Sequence, residues 1–311
     1  MTTLAVLADL HGNLPALEAV QADLAPLAVD QVIVAGDVIN WGPFSAQVMA
    51  RVVESGWPVI RGNNEFYLTD FETPRATADW SDRVAWPMLP WLKQQLAGRW
   101  THIIAGWPDS LCLRFPDAPA IRVVHGSPRR NTEPIFPSTP EAEVAAMLAG
   151  VEETTVIAAH THLPLDRRVP GRPDGGAWRV LNPGSVGNPL DGCFVSRYLL
   201  LEGTVAGWHA TRREVPLDPE PILREFERQD FETVCGVVGH FVMREFRHAR
   251  LELGPFLDWR RATCPDRPLT RDLLEDYGRA DPFGYVPAAY RAGWITSRQP
   301  GPPPAERMPL I

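Results

Sequence analysis

The sequence predicts an α/β fold with a largely parallel sheet. Apolar runs of strand length alternate with segments whose apolar residues recur at helical spacing. Several of those runs end in polar residues of one kind: carboxylate, amide or imidazole. Such alternation builds βαβ units, and ligands bind beyond the carboxyl ends of their strands.

The first unit sets the pattern. Leu4–Ala8 is a strand-length run that ends at Asp9-Leu10-His11-Gly12-Asn13. Leu14, Leu17, Val20, Leu24 and Leu27 then follow at helical spacing, with Pro15 tolerated in the first turn. Gln31–Ala35 is the second strand and runs into Gly36-Asp37. Phe44–Glu54 is the second helix, and Trp57–Ile60 a third strand ending at Arg61-Gly62-Asn63-Asn64-Glu65. Residues 66–110 carry five tryptophans and read as helices packed over one end of the sheet. Leu111–Phe115 and Ile121–Val124 form a strand pair, the second ending at His125-Gly126. Pro140–Leu148 is helical, with proline suited to its start. Thr154–Ala158 ends at His160-Thr161-His162, and Trp178–Leu181 runs into Asn182-Pro183-Gly184-Ser185-Val186-Gly187. Phe194–Glu202 and Val205–Thr211 make a hairpin around Gly203. Beyond residue 214 the pattern is helical, over Pro219–Arg228, Phe231–Arg250 and Thr270–Tyr277, with a loose proline-rich tail from Pro300.

Composition narrows the class. The 311 residues are 45 % hydrophobic, enough for a substantial core. A net charge of −8 argues against broad binding to nucleic-acid backbones. Lys93 is the only lysine; every other basic residue is arginine, which binds phosphate in a bidentate fork. Cys112, Cys193, Cys235 and Cys264 show no CxxC spacing, so neither a zinc ribbon nor a redox motif is expected. No basic leader or membrane-length apolar run occurs, and the expected location is the cytoplasm.

The strand-end residues are Asp9, His11, Asp37, Asn63, His125, His160 and His162. Two carboxylates, an amide and four imidazoles form an oxygen and nitrogen ligand set, which suits Mn, Fe or Zn. Seven groups exceed the needs of one tetrahedral ion and fit two ions that share a carboxylate.

At these motifs the chain resembles the calcineurin-like metallophosphoesterase superfamily. The matching residues are Asp9-Leu10-His11, Gly36-Asp37 with Gly42, Gly62-Asn63-Asn64-Glu65, His125-Gly126 and Ala159-His160-Thr161-His162. Asn182–Gly187 resembles a further motif of the small bacterial phosphodiesterase-like branch, so the likeness spans about residues 1–210. No one motif is specific alone; five in order are. The resemblance implies a four-layer α/β/β/α sandwich over residues 1–214, with 66–110 as a helical insertion and 215–311 as a helical C-terminal addition. It implies two divalent transition-metal ions. One would be held by Asp9, His11, Asp37 and His162, the other by Asp37, Asn63, His125 and His160, with Asp37 bridging. Two such ions lower the pKa of a bridging water, and the hydroxide attacks phosphorus in line.

The implied activity is hydrolysis of a phosphodiester, nucleotide, dinucleoside polyphosphate or phosphomonoester, with Asp37, Asn64 and His125 as the catalytic residues. The implied partner is a small phosphorylated substrate, a nucleotide being one candidate. A second copy of the chain stays open and no membrane is expected. This sequence departs from the family at Asn64, where a histidine or cysteine is usual. An amide donates a hydrogen bond but supplies no proton at neutral pH. That departure supports the alternative of a weakened member that acts as a metal- and nucleotide-binding sensor or scaffold. Arg129 and Arg130 are candidate clamps for a substrate phosphate. Trp41 and Phe44 are candidates for stacking on a base, and the Asn182–Gly187 turn for supporting the metal loops.

Overall fold

The computed structural model describes residues 1–76, 83, 86–96 and 98–296. The proline-rich tail expected from Pro300 lies outside them. In chain order the strands are β1 (Thr3–Leu7), β2 (Gln31–Val34), β3 (Ser110–Leu113), β4 (Ile121–Val124), β5 (Thr155–Ala158), β6 (Leu165–Pro170), β7 (Ala177–Asn182), β8 (Val195–Thr204) and β9 (Gly207–Pro216). They form two sheets, ordered β2-β1-β8-β9 and β3-β4-β5-β7-β6. The β1–β2, β4–β5 and β5–β7 pairs are parallel, whereas β8, β9, β3 and β6 join antiparallel. The expectation of a largely parallel sheet therefore holds only for the strands that carry the site.

The sandwich follows from strand alternation. Leu4, Val6 and Ala8 point to one side of β1 and pack with Ile121, Val123, Ile157 and Leu181 between the sheets. Ala5 and Leu7 point to the other side, against helices α1 (Leu14–Leu24) and α2 (Ser45–Glu54). The outer face of the second sheet buries Val156, Trp178 and Val180 against Val144 and Met147 of the helix Glu141–Met147. Helix, sheet, sheet and helix are the four layers.

Helices α3 (Asn63–Asp70), α4 (Met88–Gln95) and α5 (Arg99–Ala105) extend the α1–α2 layer, followed by α6 (Glu141–Met147) on the opposite side. The C-terminal helices are α7 (Glu220–Arg228), α8 (Phe231–His248), α9 (Leu253–Thr263), α10 (Asp272–Arg279) and α11 (Arg291–Thr296). Phe226, Phe231, Phe241, Phe246 and Phe256 from this segment share one cluster with Leu17, Val20 and Met49 of α1 and α2.

Several elements differ from the sequence reading. Trp57–Ile60 makes one bridge, Val34 to Val59, rather than a strand; Pro58 has no N–H with which to extend the ladder. The hairpin turns at Val205-Ala206, not at Gly203. Gly203 lies within β8, paired with Trp208, where a Cβ would meet the Trp208 ring at 2.7 Å. Strand β6 went unread because its Leu165-Asp166-Arg167-Arg168 is mostly polar. It is an edge strand, where charge is tolerated on the open side. Helix α9 was hidden by Gly254-Pro255, which reads as a break although proline fits a first turn. Phe231–Arg250 is not one regular helix: Gly236 sits at φ 59°, ψ −142° and divides it.

Candidate metal centre

The strand ends converge as two adjoining clusters, Asp9 with His11 and His162, and Asp37 with His125 and His160. The Nε2 atoms of His11 and His162 face each other at 3.0 Å. Asp9 Oδ1 lies 3.6 Å from His162 Nε2, and neither Asp9 oxygen has a hydrogen-bond partner. Asp37 Oδ2 lies 3.2 Å from His125 Nε2 and 3.7 Å from His11 Nε2, so it reaches both clusters. Asn63 Oδ1 is 3.0 Å from His125 Nε2. A buried carboxylate without partners and ring nitrogens pointed at one another carry a large desolvation cost. A cation in each cluster would relieve it, and the hard oxygen and imidazole donors match first-row divalent metals. The residues present fit two metals.

Local backbone explains how these side chains are aimed. Asp9 (φ 54°), His11 (47°), Asp37 (55°), His160 (68°) and His162 (58°) are all left-handed. Non-glycine residues rarely take that conformation, and it collects at functional sites because surrounding bonds over-determine it. Here the bonds are visible. His11 N donates to Asp37 O (3.0 Å), and Asp9 N to Gly36 O (3.1 Å). Glu65, fully buried, accepts from the N–H groups of Gly62 (2.7 Å), Asp37 (2.9 Å) and Val38 (2.8 Å). Gly62 must be glycine, since a Cβ there would collide with the Asp37 carboxylate. The Asn182–Gly187 turn supports the first loop: Ser185 Oγ donates to Asp9 O (2.8 Å) and Val186 N to Ala8 O (3.0 Å).

The imidazoles are set from behind. His125 Nδ1 donates to Ala35 O (2.8 Å) and His162 Nδ1 to Asn188 O (2.5 Å), which leaves each Nε2 facing the centre. Burial pushes His11 down to about 4, and His160 and His162 down to about 3, so all three stay neutral. Burial acts in the same sense on His125, but the Asp37 and Asp9 charges overcome it and hold it up at about 10. Burial would raise Asp37 too, but His125 keeps it well below the usual carboxylate range. Burial, reinforced against the opposing pull of His125 by the charges of Asp37 and Glu65, raises Asp9.

The remaining candidates are placed as follows. Asn64 is buried with both ends of its amide engaged: Nδ2 donates to Asp37 Oδ2 (2.6 Å), and Oδ1 accepts from Asn40 Nδ2 (2.7 Å). It is turned toward the carboxylate shared by the two clusters. Arg129 and Arg130 do not line the cavity over the clusters. They face a second cavity of about 630 Å³, and Glu133 draws Arg129 (Nε 2.9 Å) and Arg130 (3.7 Å) to itself. The phosphate clamp expected of them is therefore not assembled at this site. Trp41 lines the cavity over the clusters and Phe44 does not.

Sequence reasoning found the supporting turn that holds Ser185, but missed Glu65 and Asn188 as supports and Glu245 as a lining residue. Glu65 had a signal, lying two residues beyond Asn63; Glu245 had none, being brought in by tertiary folding alone.

The calcineurin-like phosphoesterase superfamily domain model matches residues 2–202. No curated protein matches the chain. A metallophosphoesterase from Sphaerobacter thermophilus superposes with a TM-score of 0.61 at 20 % identity, over 80 % of this chain and 99 % of that one. A hypothetical protein from Pyrococcus horikoshii OT3 gives 0.62 at 20 % identity, over 76 % and 97 %. These two share the fold of the sandwich described above. With the family model spanning well over half of the chain and the motif residues drawn into paired clusters, the protein belongs to the calcineurin-like phosphoesterase superfamily.

Proposed function

We propose that the protein hydrolyses phosphoester bonds with two divalent transition-metal ions. The observation that carries this reading is Asp37, whose Oδ2 lies within 3.7 Å of ring nitrogens from both clusters. Asp9, His11, Asp37 and His162 would hold one ion, and Asp37, Asn63, His125 and His160 the other. Bound there, the ions supply Lewis acidity toward phosphoryl oxygens and acidify water.

The chain's own part is positioning. Three imidazoles stay neutral, which is the state that offers a lone pair. Glu65 and Asn64 orient Asp37 through its backbone N–H and its carboxylate. Asn64 has no titratable proton to give, so esters with leaving groups of low pKa are the expected substrates.

The test uses Asp37→Asn. Wild-type protein loaded with Mn should carry up to two ions per chain and turn over bis-p-nitrophenyl phosphate. The variant should lose metal, read by elemental mass spectrometry, and at least about 10²-fold in kcat/KM. Full activity after exhaustive chelation, with no metal returned, would overturn the reading.

A further inference from the structure

We infer that the cavity over the two clusters is built for a phosphoester whose organic group is apolar and uncharged, and that it disfavours polyphosphates. This inference rests on the phosphoesterase reading above and adds the substrate class.

The cavity measures about 410 Å³, and its walls include Trp41, Leu89, Phe136, Leu253, Leu257 and Tyr290. Among the described residues that line it there is no arginine or lysine. A polyphosphate needs such groups: each phosphate beyond the one at the reacting centre brings charge that guanidinium or ammonium normally meets. What this wall offers instead is oxygen. Glu245 lines the cavity. Against phosphate oxygens its carboxylate would set acceptor against acceptor. The arginines that follow His125 in its loop, Arg129 and Arg130, are drawn off by Glu133 into the other cavity.

The C-terminal addition supplies part of the apolar wall. Leu253 and Leu257 are four residues apart on α9, so they lie on one helix face, and that face looks into the cavity. Tyr290 stands beside them, its hydroxyl donating to Thr161 O (2.9 Å) between the two histidines of the His160-Thr161-His162 motif. An organic group leaving the metal clusters therefore meets leucine and aromatic surface.

Two measurements on the Mn-loaded full chain test this. In turnover, aryl and arylalkyl phosphodiesters should exceed ATP and a dinucleoside tetraphosphate in kcat/KM by about 10²-fold or more. In calorimetry, phenylalkyl phosphonates should bind about threefold more tightly per added methylene. Leu257→Ala should lose that chain-length gain without improving polyphosphate turnover. Leu257→Arg, at a half-buried helical position, should shift the preference toward polyphosphates by at least about tenfold. Faster wild-type turnover of polyphosphates, affinity flat with chain length, or no shift in Leu257→Arg would each overturn the inference and leave the phosphoesterase reading standing. If no ester at all is turned over, the phosphoesterase reading fails. The phosphonate series then decides the cavity's preference alone, and tighter binding of the ATP phosphonate analogue would overturn it.

Discussion

Five of the seven candidate ligands share an unfavourable left-handed backbone, yet each was found in sequence only as a residue type at a strand end. Chemistry was legible there because carboxylate and imidazole were conspicuous after apolar runs. The conformation was not, since it is imposed by Glu65, Ser185 and the Gly36 and Asp37 carbonyls. Glu245 shows the opposite case. It carries no motif, but burial raises its carboxyl to about 7, opposed by the N–H groups of Glu252 and Leu253 and by Asn188, and assisted by the Glu252 charge. A carboxyl with a raised folded pKa costs nothing below its unfolded value near 4.5. It destabilises increasingly as pH rises from there to about 7, because the unfolded chain ionises first. Glu245→Gln should therefore be more stable than wild type at pH 8, by about 2–3 kcal/mol, and near parity at pH 5. Thermal melts at the two values check it; a difference independent of pH would rule out the ionisation.

At the scale of elements, β9 ends at Pro216 and the chain turns helical, as the pattern beyond residue 214 expected. The core does not stop there. Phe241 stacks on Phe256 with ring centroids 4.3 Å apart, and both share the cluster of α1 and α2. We propose on this ground that the helices over residues 220–279 are an integral layer of the helix face. Phe241→Ala should cost about 3–5 kcal/mol, read as a lowered denaturant midpoint with the slope unchanged. A chain ending at residue 216 should aggregate, because it exposes the apolar face that Phe226, Phe231 and Phe246 now cover. A soluble truncated chain that melts at the full-length temperature would show that the addition has no such role. Elements with clean period, such as α1 and β4, were legible. Strand β6 and helix α9 were not, because edge position and a first-turn proline both mimic loop composition.

For the whole molecule, the seven strand-end groups are concentrated in one place, six of them are buried, and both Asp9 oxygens lack a hydrogen-bond partner. Ligands that bind only the folded state stabilise it by mass action, about 2.7 kcal/mol per site at a hundredfold excess over Kd. Adding Mn to chelated protein should thus raise the melting temperature by about 5 °C or more, and Asp9→Asn should lose part of that rise. No shift on adding Mn, Fe or Zn would show that the clusters do not take a metal.

The sequence alone picked out the candidate ligands, their order and the strand ends they come from. These depend on local patterning, an apolar run followed by a polar turn, which needs no partner to be read. Tertiary structure alone decided which residues aim and shield that set. Asn64 turns to Asp37, Arg129 and Arg130 turn to Glu133, and α9 with Glu245 closes the cavity more than 80 residues beyond His162 in the chain. Side-chain direction and burial follow from contacts between distant segments, and single-chain periodicity carries no record of them.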